Sequence, residues 1–171
     1  PVTVPVEMIA AFFPEGAPLQ APPRHPFPAA PPPPPDVYTI RRRVSFSDID
    51  MAQHVNNAVY LSYAEDAATA VLPQYGWPIE RMREHGLAII VRRHRIEYLQ
   101  PALLGDEVEI STWVSNMRRA SGTRHFMIGR AADHQLLARI NTLALSINPI
   151  TGLPTRPPDQ FLSDFAPNIV A

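Results

Sequence analysis

The sequence contains no cysteine, which excludes disulfide scaffolds, cysteine-rich zinc sites and a thiolate nucleophile in one step. Charge of one sign is missing too: a formal net charge of -1 leaves no electrostatic footprint for nucleic acid or an anionic membrane surface. No run approaches the roughly 18 continuous apolar residues of a membrane span. The start lacks the basic-then-apolar pattern of a signal peptide, so the chain reads as soluble, and the lack of cysteine leaves the compartment open with the cytoplasm as the default expectation. There is neither a Gly-x-Ser-x-Gly elbow nor a glycine-rich phosphate loop. The six histidines have no metal-ligand spacing, and no metal or cofactor is expected. What remains is a 171-residue chain, 46% hydrophobic, able to bury one full core.

Proline is the abundant residue, with 21 copies placed mostly before Asp36 or after Pro149. Pro22 to Pro35 reads as an extended polyproline II spacer that connects without packing. The expected organisation is therefore a Pro-rich extension over 1–36, a folded unit over 37–150 and a tail over 151–171. One echo links the two ends. Pro5-Val6-Glu7-Met8-Ile9-Ala10-Ala11-Phe12-Phe13-Pro14 aligns without gaps on Pro158-Asp159-Gln160-Phe161-Leu162-Ser163-Asp164-Phe165-Ala166-Pro167. The expectation drawn from it is that the first segment is the tail of an upstream copy of the same domain. The alternative is two unrelated amphipathic turns.

Inside the folded unit, Tyr38, Ile40, Val44 and Phe46 share one face of a first strand. Ala58 to Leu72 reads as a helix, apolar on nearly every side except around Glu65 and Asp66, and so expected to be buried. Pro73, Gly76 and Pro78 stop it. Four strand-like runs follow, Leu87 to Leu99, Glu107 to Met117, Thr123 to Ala132 and Leu136 to Ile147. In the second of these Val108, Ile110, Thr112 and Val114 alternate with polar residues, which predicts an antiparallel sheet dry on one face. The fold class is α+β: a curved antiparallel sheet of about five strands around one long helix.

The densest polar cluster is Ser47-Asp48-Ile49-Asp50-Met51-Ala52-Gln53-His54-Val55-Asn56-Asn57, where strand hands over to helix. A helix N-terminus offers unpaired N–H groups and partial positive charge to a developing oxyanion. A carboxylate beside it suits acyl transfer. A thiol leaving group with a pKa of ~8.5 needs little help from a general acid. Asp50 is the favoured chemical residue, with helix capping as its bland alternative. Asp48 fits a turn-former or a support for Asp50.

These residues carry a resemblance. Asp48-x-Asp50-x-x-x-His54-Val55-Asn56-Asn57-x-x-Tyr60-Leu61-x-Tyr63-x-Glu65 resembles the signature of the 4-hydroxybenzoyl-CoA thioesterase family of hot-dog proteins. Downstream, Arg95-Ile96-Glu97-Tyr98-Leu99-Gln100-Pro101-Ala102-Leu103-Leu104-Gly105-Asp106 resembles that family's second-strand segment. The resemblance implies a hot-dog fold and an acyl-CoA or acyl-carrier-protein thioesterase. In it Asp50 attacks the thioester or activates water, and the Asn57 backbone N–H meets the oxyanion. Asp50, His54 and Glu97 also match acyl-acyl-carrier-protein thioesterases, a tandem hot-dog family in which such residues act together. The sequence departs from that pattern at Ala52, where Asn is usual. It departs from the coenzyme A pattern at Gln53, where Gly is usual.

Supporting substrate residues are Asn56, Glu65, Glu97, Arg93 and Arg118. His54 either orients substrate or is fixed between loop and sheet, and Asn56 and Asn57 either serve the site or cap the helix. Glu65 is either a helix base or half of a buried pair with an arginine. The basic runs at Arg92, Arg93, His94, Arg95 and at Arg118, Arg119, Arg124 either meet coenzyme A phosphates or pair across strands with Glu97, Glu107 and Glu109. A hot-dog hydratase or dehydratase and a non-catalytic acyl-thioester-binding domain are the competing functions. An exposed sheet edge predicts a homodimer or tetramer, or pairing with an upstream half.

Overall fold

The computed structural model describes residues 5–16, 26–35 and 37–170. Five strands form one antiparallel sheet: β1 (Tyr38–Arg43), β2 (Ala88–Tyr98), β3 (Glu107–Ser115), β4 (Ser121–Arg130) and β5 (Leu136–Ile147). Their spatial order is β1-β3-β4-β5-β2, so β1 and β2 are the two edges. Among the described residues there are also four α-helices, α1 (Val6–Phe12), α2 (Val59–Gln74), α3 (Ile79–Glu84) and α4 (Asp159–Phe165), and two short 3-10 turns, Phe46–Asp48 and Ala166–Asn168. The long α2 lies on one face of an open sheet, and the hot-dog layout expected from the sequence is the one that forms.

The period-2 pattern of the strands decides which face α2 covers. Val108 and Ile110 of β3, Phe126 and Ile128 of β4 and Ile140 of β5 point to one side. There they meet Tyr60, Tyr63, Ala64 and Ala67 of α2 in the main core. Small alanines on the buried side of α2 let the helix sit close to the sheet. Its other side is open, since Ser62, Glu65, Asp66 and Thr69 are exposed. The helix expected to be buried all round is buried on one side.

A second core closes one end. The α2 residues Val71 and Leu72 pack with Trp77, with Met82 of α3, with Leu87, and with Phe161 and Phe165 of α4. Trp77 donates its indole N–H to Asp164 at 2.9 Å, and the rings of Phe161 and Phe165 stack at 4.5 Å. The segment after Pro149 thus packs on the sheet, where Ile169 bridges to Val114.

Other expectations are corrected. The first strand stops at Arg43 rather than running through Phe46, which sits 82% exposed in a short 3-10 turn (Phe46–Asp48) held by the Asp48 carboxylate. Pro73 does not end α2 but occupies its last turn. There the missing N–H removes a single bond, and Gly76 at φ 75° makes the exit. Phe27 and Pro28 do pack: the Arg139 guanidinium lies over the Phe27 ring, and Asn141 donates to the Pro28 carbonyl at 3.3 Å. Residues 22–25 of that proline segment lie outside the described residues. The outer face of β3 is not uniformly wet, because Trp113 and Ser115 are buried there.

The echo between the chain's ends has a structural counterpart. α1 and α4 are both seven residues long and both start after an extended proline, Pro5 at φ -57°, ψ 144° and Pro158 at φ -52°, ψ 146°. They differ in setting: Phe161 and Phe165 are buried, whereas Val6 and Met8 are exposed.

Truncating Trp77 to Ala removes the centre of the second core and costs roughly 3–5 kcal/mol of stability by urea unfolding. Val6→Ala, at an exposed site, changes it by less than about 0.5 kcal/mol.

Candidate active site

The site is built from one anchored turn. Beyond β1, the Val44 N–H bonds the Asp106 carbonyl at 2.8 Å, and Val44 is buried. The chain then turns sharply, and Asp48 holds the turn: its Oδ2 accepts from the Ser45 N–H at 2.8 Å, the Ser45 hydroxyl at 2.9 Å and the Tyr63 hydroxyl at 2.9 Å. Burial opposes ionisation of Asp48. The Ser45 and Tyr63 donors, with the Arg42 charge, outweigh it and hold the carboxyl below its usual value. Burial and donation to Asp48 push the Tyr63 hydroxyl up.

After this anchor the chain makes a narrow hairpin. Ile49 bridges Val55, the Asp50 N–H bonds the His54 carbonyl at 3.1 Å, and the Gln53 N–H bonds the Asp50 carbonyl at 3.0 Å. Gln53 closes the loop at φ 62°, a left-handed conformation that costs a side-chain-bearing residue about 1 kcal/mol. This explains the usual glycine at that position. The returning leg is fixed by Val55 N–H to the Ala102 carbonyl at 2.9 Å and Asn56 N–H to the Asp48 carbonyl at 2.8 Å.

The hairpin presents Asp50. Its Oδ1 accepts from the Ala52 N–H at 2.9 Å and lies 3.8 Å from Nδ1 of His54. Oδ2 has no partner among the described residues. The side chain is 30% exposed, so it can reach a substrate while its orientation is fixed. His54 Nδ1 also lies 3.3 Å from the Val55 carbonyl, so the ring belongs to the same hairpin.

At the start of α2, the Asn56 side chain accepts from the Ala58 N–H at 2.9 Å, and its carbonyl accepts from Val59 N–H at 2.9 Å. The Asn57 N–H has no acceptor among the described residues. Asn57 is itself held, because Tyr98 of β2 donates its hydroxyl to the Asn57 carbonyl at 2.8 Å. The hairpin thus leaves a carboxylate oxygen of Asp50 open, and the chain just before α2 leaves the Asn57 N–H open, the two kinds of group that attack on a carbonyl with oxyanion stabilisation needs.

Asp50 and His54 lie side by side in the hairpin, and Asn56 and Asn57 follow on its returning leg before α2. The remaining candidates are not brought to them within this chain. Glu65 is exposed on α2, and no arginine among the described residues pairs with it, contrary to the buried pair expected. Asp66 beside it takes Arg42 instead, leaving Glu65 at the rim of a cavity. Glu97 bonds Arg139 at 2.6 Å, cross-strand on the outer face, and Glu109 bonds Arg41. Pairing across strands does occur, but with arginines other than the basic runs. Arg93 is exposed on β2. Arg118 is exposed in the β3–β4 turn, at the far end of a nine-residue strand roughly 30 Å long. Tyr98 was missed because its role depends on a contact 41 residues away. Among the described residues, no group of three or more His, Cys, Asp or Glu is placed to hold a metal ion, and no helix is long and apolar enough to cross a membrane.

Two outcomes follow from the anchored hairpin. Gln53→Gly relieves the left-handed residue and raises stability by roughly 0.5–1 kcal/mol in urea unfolding. Asp48 has a folded pKa below its unfolded value near 3.8, so it contributes stability above that pH and loses it as pH falls through the folded value. Asp48→Asn costs roughly 1–3 kcal/mol at neutral pH. It also flattens the acid-induced loss of stability below about pH 4, read from unfolding curves at stepped pH.

Comparison with known proteins agrees with this layout. The family model described as the thioesterase-like superfamily matches residues 44–165. The acyl-CoA thioester hydrolase YbgC of Escherichia coli O6:H1 is 29% identical over 125 residues, 72% of this chain and 91% of that protein. The long-chain acyl-CoA thioesterase FadM of Escherichia coli K12 is 31% identical over 93 residues, 53% of this chain and 67% of that protein. Among solved structures, a thioesterase from Thermus thermophilus complexed with coenzyme A and Zn superposes with a TM-score of 0.66. It is 27% identical and covers 76% of this chain and 92% of that one. With its matched region taking in the anchored turn, the hairpin, α2 and strands β2 to β5, the chain belongs to the thioesterase-like superfamily.

Proposed function

We propose that the protein hydrolyses acyl-coenzyme A thioesters at the Asp50 hairpin. The observation that carries this reading is an oriented, partly exposed Asp50 carboxylate on the hairpin that leads into α2, followed on the same segment by an Asn57 N–H that has no acceptor among the described residues. The relatives YbgC and FadM, named for acyl-CoA hydrolysis, support the coenzyme A carrier over an acyl carrier protein.

In this mechanism a carboxylate oxygen of Asp50 attacks the thioester carbon, or takes a proton from a water that does so. The carbonyl oxygen becomes an oxyanion that accepts from the Asn57 N–H. Collapse of the tetrahedral species expels the thiolate, whose conjugate acid has a pKa of ~8.5 and needs no strong acid to assist it. Where Asp50 itself attacks, water then cleaves the resulting anhydride and returns the carboxylate. Tyr98 acts as a positioning residue by holding Asn57, and His54 braces the hairpin.

The exposed apolar residues Ile89, Ile90 and Val91 on edge strand β2 support pairing with a second hot-dog unit there. Light scattering on the purified protein tests this, and a monomer at all concentrations rejects it.

Asp50→Asn lowers kcat for thiol release from acyl-CoA by roughly 100-fold or more, with circular dichroism and coenzyme A binding unchanged. Equal turnover by the variant removes Asp50 from the chemistry. Hydration of enoyl-CoA, followed at the enoyl absorbance, would instead favour a hydratase.

A further inference from the structure

The strand register sets four residues in one row across the helix-facing side of the sheet: Val114 on β3, Arg124 on β4, Thr142 on β5 and His94 on β2. Beside this row on the same face Phe126, Ile140 and Ala144 are apolar, and Thr112 is the polar neighbour. Arg124 therefore points into the interior between sheet and α2. It does not join the glutamates of the outer face.

No Asp or Glu oxygen lies within ion-pair distance of Arg124 among the described residues. Its one hydrogen bond there is to the Thr112 hydroxyl, at 3.3 Å. Desolvation lowers its pKa to about 10, which leaves it charged at neutral pH. Arg124 is half-buried, and a partly desolvated cation with a single neutral partner is a place where a counter-charge stabilises. Next to it, Nδ1 of His94 and the Thr142 hydroxyl share a hydrogen bond of 2.8 Å.

Arg124, Thr142 and His94 line a cavity of about 280 Å³ whose other walls include Ala64, Ala68 and Leu72 of α2 and Val91 of β2. The cavity begins near Ala64, five residues beyond Val59 or about 8 Å along the helix axis from its start. His94 lies four residues from Tyr98 on β2, about 13 Å along the strand from the residue that holds Asn57. An acyl chain whose carbonyl sits at the Asn57 N–H therefore has the cavity ahead of it and the polar row at its far end.

We propose that the cavity binds an acyl group ending in a carboxylate, which forms a forked ion pair with Arg124 while Thr142 contributes a hydroxyl. The substrate class is then the mono-coenzyme A thioester of a dicarboxylic acid. This rests on the acyl-thioesterase reading above and specifies its substrate. A carboxylate is favoured because it matches the planar guanidinium with two parallel bonds and supplies the missing counter-charge. Glu65, at the cavity rim, is the carboxylate of the cavity lining that could compete for Arg124.

The test compares thiol release from length-matched pairs, adipoyl- against hexanoyl-CoA and sebacoyl- against decanoyl-CoA. The wild type is expected to favour the carboxylate-ended member of at least one pair by roughly tenfold or more in kcat/KM. Arg124→Met should abolish or reverse that ratio, Arg124→Lys should restore part of it, and Thr142→Val should weaken it. If Arg124→Met fails to fold, the wild-type ratio and Thr142→Val still decide. The proposal is overturned if the wild type prefers the methyl-ended member of both pairs. It also fails if Arg124→Met lowers both members equally, or if Glu65→Gln alone destabilises the fold as much as Arg124→Met, which would make Glu65 the native partner. Absence of turnover with all four thioesters would instead count against the thioesterase reading. Calorimetric binding of the same compounds to Asp50→Asn then reads the carboxylate preference independently.

Discussion

The Asp48 carboxylate is the constraint on which the turn and hairpin before α2 depend. One of its oxygens takes three donors, two from Ser45 and one from Tyr63 on α2. It thereby ties the exit of β1 to the helix that crosses the sheet. With that oxygen in place, the Asp48 carbonyl is aimed at the Asn56 N–H, and the hairpin between them has little choice of path. Asp50 is oriented because Asp48 is buried. Two acidic residues two positions apart thus stand in different settings: the buried one holds the turn and the partly exposed one is turned outward on the hairpin.

Local chemistry was legible in the sequence, and partners in space were not. The hairpin from Asp50 to Asn57 is set by bonds among near neighbours, so a motif sufficed to find it. The strands were also readable, β5 to both its ends, since period-2 alternation survives wherever one face is dry. Tyr98 and Glu97 could not be placed in the same way. Their partners, Asn57 and Arg139, are 41 and 42 residues distant, and only the register of the sheet decides them. Arg124 is intermediate. Alternation puts it on the face of Phe126 and Ile128, a signal present in the sequence but outweighed by the neighbouring arginines that suggested a charged surface run.

The two faces of α2 explain why Glu65 resisted interpretation. A helix rich in alanine and leucine looks buried on every side, and a lone carboxylate in it then demands a partner. Because α2 covers only part of the sheet, its outer side borders open space, where a charge carries little penalty. Asp66, one residue on, found Arg42 because it turns back toward β1. Adjacent acidic residues on a helix differ by about 100° in direction, enough to separate an ion pair from a cavity rim.

The strand order has a consequence for how the protein is made. β1 pairs with β3 and β2 pairs with β5, so neither edge strand has its partner nearby in sequence. During synthesis at roughly 5–20 residues per second, β2 emerges seconds before the last residues of β5. For that interval its apolar stretch from Ile89 to Val91 is an unpaired strand. The carbonyls of Ala102 and Asp106 that fix the turn and hairpin also arrive after it. The turn is therefore completed late in the nascent chain, and until β5 is complete the unpaired apolar edge of β2 is open to aggregation.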